Sequence, residues 1–200
     1  MSTGGFLEIL IGNEISNSPD GIVLLVGKGH ADNKPGSIHA SDFPGGEWDH
    51  AAIAFRDNKE NKIVFLEKTP SKAGLWSPNL SGTIEDFAKY PQYDVVALAL
   101  SRDFGPGAGE VFLKAAKAEL DRDYSFFRAA GGNCSSAFEA GMKAVRAWTS
   151  KNAFLNKLEN VGKEALKWVW WPIAASNTYT PTDAHREGKK HSVPPHFHGA

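Results

Sequence analysis

The chain has 200 residues, enough for one domain with a sizeable hydrophobic core. Hydrophobic residues make up 42% and charged residues 22%, a balance that argues against a disordered chain. The formal net charge is −1 and the Lys and Arg residues are scattered, so we expect no nucleic-acid partner.

The cysteine count and the N-terminal segment indicate the cellular compartment in which the protein is made and folds. The single cysteine cannot form an intramolecular disulfide, which fits folding in a reducing environment. Residues 6–11 are mostly apolar, but no basic residue precedes them and Glu8 lies among them, so we expect no Sec-type signal peptide. No run approaches the ~20 apolar residues of a membrane span. We therefore expect synthesis in the cytoplasm and no stable membrane insertion.

Strand patterns occupy the first half of the chain. Apolar runs bounded by turn residues predict four strands, at residues 21–27, 50–55, 62–67 and 94–100. The second and third of these should pair as a hairpin. Residues 28–47 are rich in Gly, Pro, Asp and Ser and are predicted to form a long loop, a type of segment that is often functional in compact domains.

Apolar residues at helical spacing begin after Pro106. They predict three helices, at residues 108–122, 133–148 and 152–170. From residue 177 to residue 200 the chain is polar and rich in Pro and His, which predicts a mobile tail behind one catalytic domain of residues 1–176. Strands followed by helices predict an α+β domain with a mainly antiparallel sheet.

Cys134 is the first candidate for chemistry, because two glycines lead through it into a predicted helix. A cysteine in the first helical turn lies at the positive end of the helix dipole, beside backbone N–H groups without partners. Both favour the thiolate, which is the nucleophilic form, and the same N–H groups would bind the oxyanion of an attacked carbonyl. The alternative is a small buried hydrophobic residue, the usual fate of a lone cysteine.

His50 is the only one of the seven histidines that opens a predicted strand. A strand would hold its ring in place, as a base requires. Glu67 ends the next strand and would orient the imidazole through its second ring nitrogen. Taken alone, His50 can equally be an edge histidine with satisfied hydrogen bonds, and Glu67 a solvated carboxylate at a strand end.

Four short patterns, in this chain order, resemble the circularly permuted branch of the NlpC-type papain-like superfamily. That branch includes the YiiX-like and the lecithin:retinol acyltransferase-like proteins. The patterns are Pro-Asp-Gly-Ile-Val-Leu-Leu at 19–25, Trp-Asp-His-Ala-Ala-Ile-Ala-Phe at 48–55, Val-Phe-Leu-Glu at 64–67, and Asp-Tyr-Ser-Phe at 123–126 followed by Asn-Cys-Ser-Ser-Ala-Phe at 133–138. The resemblance spans roughly residues 18–148. It implies a permuted papain-like fold in which an antiparallel sheet packs against the helix that carries the cysteine.

The resemblance also implies roles for matching residues. Cys134 would be the nucleophile, His50 the base and Glu67 the third polar residue of the site. Tyr124 and Ser135 would line the substrate site. We expect no cofactor, and no metal either, because the histidines of residues 191–198 lack Cys or carboxylate partners at ligand spacing.

The chain departs from the family pattern near the site. Asp20 is displaced by one position from the family's Asp and remains a rival orienter to Glu67. Ala137 follows the two serines where the family has Glu, and Asp49 precedes His50 where Ser is common. These departures leave the third residue and the substrate open.

The implied reaction is the hydrolysis of amide bonds through a covalent acyl-enzyme. Many members of this superfamily cut peptide amides of bacterial cell walls, so peptidoglycan is the first candidate substrate. Some are type VI secretion effectors, which would imply export without a Sec signal and a secretion or immunity partner. One alternative is a lipid-directed acyltransferase or thioesterase, with an apolar groove supplied by residues 168–171. Another is a binding module without catalysis.

Overall fold

A computed structural model describes residues 3–29, 46–57, 62–68, 76–77, 84, 87–121, 134–149 and 179–194. Helices and strands follow one another in the order α1 (Thr3–Asn17), β1 (Ile22–Lys28), β2 (His50–Asp57), β3 (Lys62–Glu67), β4 (Trp76–Ser77), β5 (Gln92–Ala97), α2 (Leu100–Phe104), α3 (Ala108–Glu119), α4 (Ser136–Trp148) and α5 (Pro181–Lys190). The predicted helix at 152–170 and most of the predicted loop at 28–47 lie outside the described residues.

The strands form one sheet in the order β4-β3-β2-β1-β5, and every neighbouring pair is antiparallel. Four strands have six to eight residues, whereas the edge strand β4 has two. The predicted hairpin of β2 and β3 is confirmed. So is the α+β class, because the antiparallel sheet packs against helices.

Both faces of the sheet are covered, and each has its own hydrophobic core. Alternate residues of a strand point to opposite faces. In β1, Ile22, Leu24 and Val26 join the core that contains α3, α4 and α5, while Val23 and Leu25 join the core that contains α1. This two-sided burial explains why β1 is an unbroken apolar run rather than an alternating one.

The N-terminal helix α1 was not predicted from the sequence. It buries Leu7, Ile11 and Ile15, which recur every four residues and therefore lie on one helix face. Glycine is a poor helix former, and the segment contains Gly5 and Gly12, so its local propensity is weak. Packing against the sheet stabilises α1 where propensity does not.

The prediction of a mobile tail is wrong for residues 179–194. Residues 181–190 form α5, which begins with a capping box between Thr180 and Asp183. The helix buries Ala184 and Gly188 against the sheet. The sequence suggested mobility because the segment is polar, but small residues four positions apart let a polar helix pack closely. Residues 177–178 and 195–200 lie outside the described residues.

Two helical glycines should respond oppositely to alanine. A Cβ at Gly141 would lie 2.5 Å from ring atoms of the buried Phe112, so Gly141→Ala should lower the free energy of unfolding by about 1–2 kcal/mol despite better helix propensity. A Cβ at Gly12 would meet nothing within 4 Å, so Gly12→Ala should raise it by about 0.5–1 kcal/mol. Urea denaturation of both variants measures the two effects. Equal changes in both would contradict the close packing of α3 on α4.

Candidate active site

The site begins at the end of the sheet where β2 starts and β3 stops. Ala52 pairs with Glu67 across the two strands, and His50 lies two residues before Ala52. The His50 and Glu67 side chains are therefore diagonal neighbours on one face of the sheet. The Nε2 atom of His50 lies 2.8 Å from Oε1 of Glu67, and only 12% and 4% of the two side chains are exposed.

Cys134 precedes Ser135, the N-cap of α4, so it lies just before the helix and not in the first turn where the sequence predicted it. The cysteine is free and partly exposed, and its side chain is hydrogen-bonded to that of His50. Because Glu67 occupies Nε2 of the imidazole, the nitrogen that remains for the thiol is Nδ1. The structure therefore brings three of the predicted site residues together in the order thiol, imidazole, carboxylate.

The surroundings of His50 favour its charged form. Burial lowers the pKa of the imidazole, but hydrogen bonds to Cys134 and Glu67, with the charges of both groups, outweigh burial and raise the pKa to about 10. His50 is therefore an imidazolium at neutral pH. A cation beside a thiol favours loss of the thiol proton, which is the condition for a cysteine nucleophile.

Aromatic rings hold the imidazole from the side of the α1 core. The Tyr90 ring stacks on His50 at 6.2 Å with an interplanar angle of 9°, and the Phe87 ring lies 5.4 Å away. Gly27 pairs with His50 across β1 and β2, and a Cβ there would lie 2.6 Å from the Tyr90 ring. Neither Gly27 nor Tyr90 was predicted as part of the site. Strand register places Gly27 beside His50, and the fold brings Tyr90 there from a segment outside the sheet.

The prediction of Asp20 as a rival orienter is wrong. Its carboxylate accepts hydrogen bonds from the backbone N–H of Ser101, at 3.0 and 3.2 Å, and from the Ser101 hydroxyl. Asp20 precedes Ile22, which pairs with Phe55 at the far end of β2 from His50. Five residues of strand at ~3.3 Å each separate that end from the imidazole by roughly 17 Å.

Ser135 and Tyr124 were predicted to line the substrate site, and the structure describes only Ser135. Ser135 has no exposed surface, and its Oγ donates a hydrogen bond to the carbonyl of Tyr179 at 2.9 Å. Its side chain therefore lies inside the protein, and the prediction that it lines a cleft is wrong. Tyr124 lies outside the described residues.

Comparison with known proteins yields no relative. No family model matches the chain, and neither a curated protein nor a solved structure does.

No helix in the described part of the chain is long and apolar enough to cross a membrane. Nor do three or more His, Cys, Asp or Glu side chains in those segments form a group that could hold a metal ion.

The stability that His50 contributes should depend on pH. Its pKa is 6.5 in the unfolded reference and about 10 in the fold, so its contribution is complete below pH 6.5 and is lost as the pH rises towards 10. The free energy of unfolding of the wild type, minus that of His50→Gln, should therefore fall over this range.

Urea denaturation at fixed ionic strength measures this difference. Glu67→Gln removes the carboxylate that helps to raise the pKa of His50, so in its background the His50→Gln difference should fall less steeply. A wild-type difference that stays constant from pH 6.5 to pH 10 would contradict the stabilised imidazolium.

Proposed function

We propose that this protein is a cysteine hydrolase that cleaves amide bonds. Cys134 is the nucleophile, His50 the base and acid, and Glu67 the carboxylate that orients His50. The observation that carries the proposal is the hydrogen bond of Cys134 to an imidazole whose other nitrogen is held by Glu67. Cysteine hydrolases use a nucleophile, a base and an orienting group of these residue types, with the base in contact with the other two.

The first half of the proposed reaction forms an acyl-enzyme. The Cys134 thiolate attacks the carbonyl carbon of the amide, and the carbonyl electron pair moves onto oxygen. The backbone N–H groups at the start of α4 stabilise this oxyanion, since the first N–H groups of a helix have no carbonyl partner within it. His50 gives its proton to the leaving nitrogen as the C–N bond breaks, and a thioester remains.

The second half releases the product. Neutral His50 takes a proton from water, and the resulting hydroxide attacks the thioester carbonyl. The C–S bond breaks, the acid product leaves, and the Cys134 thiolate regains its imidazolium partner. Glu67 accepts a hydrogen bond from Nε2 throughout, which keeps Nδ1 directed at the sulfur.

We further propose a permuted papain-like fold, as in the NlpC-type superfamily. The support is the chain order of the parts: the strand with His50, the strand with Glu67, and then the helix that Cys134 precedes. The antiparallel pairing of those strands and the packing of α4 on the sheet are compatible with that fold.

Peptides of bacterial cell-wall peptidoglycan are the proposed substrate, and delivery as an antibacterial effector by a route other than Sec is the proposed context. Both rest on the sequence resemblance. The contact of Glu67 with His50 favours an amidase over the lipid-directed alternative, because the retinol acyltransferase-like branch has His at this position. The contact of Cys134 with His50 disfavours a binding module without catalysis.

Purified protein incubated with peptidoglycan should release new amine termini. Cys134→Ala removes the nucleophile, so its turnover should fall to background, a loss of at least about 1,000-fold, while its circular dichroism spectrum stays that of the wild type. Asp20→Asn alters a carboxylate far from the site and serves as the matched control with retained activity.

A panel of acyl esters assayed beside the peptidoglycan separates the alternatives. Ester cleavage that needs Cys134, without amine release, would replace the amidase by the lipid-directed enzyme. Amine release that persists in Cys134→Ala would remove Cys134 from the reaction.

A further inference from the structure

The chain just before and within the first turn of α5 contacts both halves of the site. The carbonyl of Tyr179 accepts a hydrogen bond from Oγ of Ser135, the residue that follows Cys134, at 2.9 Å. Oγ1 of Thr182 accepts hydrogen bonds from the backbone N–H groups of Glu47 and Trp48, at 2.7 and 2.9 Å. Trp48 lies two residues before His50.

The contact of Thr182 with the Trp48 N–H is buried, and the other two contacts are partly buried. Ser135 is 0% exposed and Thr182 is 1% exposed. A buried N–H group that loses its acceptor is strongly destabilised, so the Thr182 hydroxyl fixes the path of the chain that leads into His50. The Ser135 hydroxyl fixes the chain that leaves Cys134 in the same way.

The start of α5 is itself rigid. Thr180 and Asp183 form a reciprocal capping box, in which Oγ1 of Thr180 accepts from the Asp183 N–H at 3.2 Å and Oδ2 of Asp183 accepts from the Thr180 N–H at 2.9 Å. Pro181 opens the helix with a restricted backbone. Tyr179 and Thr182 are therefore held at a fixed separation.

The body of α5 is anchored to the two elements that carry the site. Nε2 of His185 lies 2.8 Å from Oδ2 of Asp94 on the sheet. Glu187 forms an ion pair with Arg146 of α4. The helix thus links the sheet that bears His50 to the helix that follows Cys134.

We propose that residues 179–182 are a positioning clamp that sets the distance between the Cys134 thiol and the His50 imidazole. The clamp would align the two side chains for the proposed hydrolysis, so this inference rests on the proposed function. It joins the nucleophile and the base through one rigid piece of chain, so a small shift of that piece misaligns both. Displacements of about 1 Å can cost about a hundredfold in rate when reacting groups must be aligned. Thr182 is the positioning residue whose side chain contributes most directly.

The rate at which iodoacetamide alkylates Cys134 at pH 6 tests the clamp without knowledge of the substrate. Cys134 is the only cysteine of the chain, so all alkylation reports on it. A thiol activated by a neighbouring imidazole reacts faster than the same thiol without that base. The wild type should therefore react at least about tenfold faster than His50→Gln.

Thr182→Val removes the acceptor at nearly constant shape. We expect its alkylation rate at pH 6 to fall at least about fivefold below that of the wild type, because the imidazole no longer holds its place beside the sulfur. Thr182→Ser keeps the acceptor and should restore the wild-type rate. Ile22→Val, a core change at the opposite end of β1, should leave the rate unchanged and controls for general loss of stability.

If Thr182→Val does not fold, Ser135→Ala takes its place, because it breaks the other contact of the clamp. Its alkylation by iodoacetamide should show the same loss of rate. A folded Thr182→Val or Ser135→Ala variant with the wild-type alkylation rate would overturn the clamp and leave the proposed enzyme standing. A wild type that reacts no faster than His50→Gln would overturn both.

Discussion

The hydrogen-bonded row of Cys134, His50 and Glu67 is the interaction on which the site depends. Glu67 is 5% exposed, and a carboxylate so buried needs a cation or several donors to offset the loss of water. His50 supplies the cation. The same imidazolium lies beside the Cys134 side chain, so one ring serves both the carboxylate and the thiol. Removal of His50 would take from Glu67 the cation that lies 2.8 Å from its Oε1.

The pairing register of β2 and β3, rather than closeness along the chain, brings His50 and Glu67 together. Because side chains alternate along a strand, a shift of one residue between β2 and β3 would turn Glu67 away from His50. The burial of Ile53 and Leu66 on one face and of Ala52 and Phe65 on the other fixes that register. Core packing thus determines the relative positions of His50 and Glu67.

The sequence allowed four of the five strands and the β2–β3 hairpin to be predicted, because residue type and periodicity carry that information locally. The three contacting residues were predicted from their local patterns together with the family resemblance. The choice between Glu67 and Asp20 depended on register, and either acid was compatible with the sequence. Helix α5 was missed because its stabilising contacts, such as His185 with Asp94, join residues far apart in the chain. The contacts of Thr182 go to backbone N–H groups, which nearly every residue has, so no sequence pattern marks them.

The most direct measurement is the titration of the His50 ring nitrogens by NMR from pH 5 to pH 11, in the wild type and in Cys134→Ala. If Cys134 and Glu67 together stabilise the imidazolium, wild-type His50 stays doubly protonated beyond neutral pH and titrates near 10. In Cys134→Ala it should titrate at lower pH, because one of its two partners is gone. Titration of His50 near its ordinary value of 6.5, unchanged by the loss of Cys134, would contradict the account.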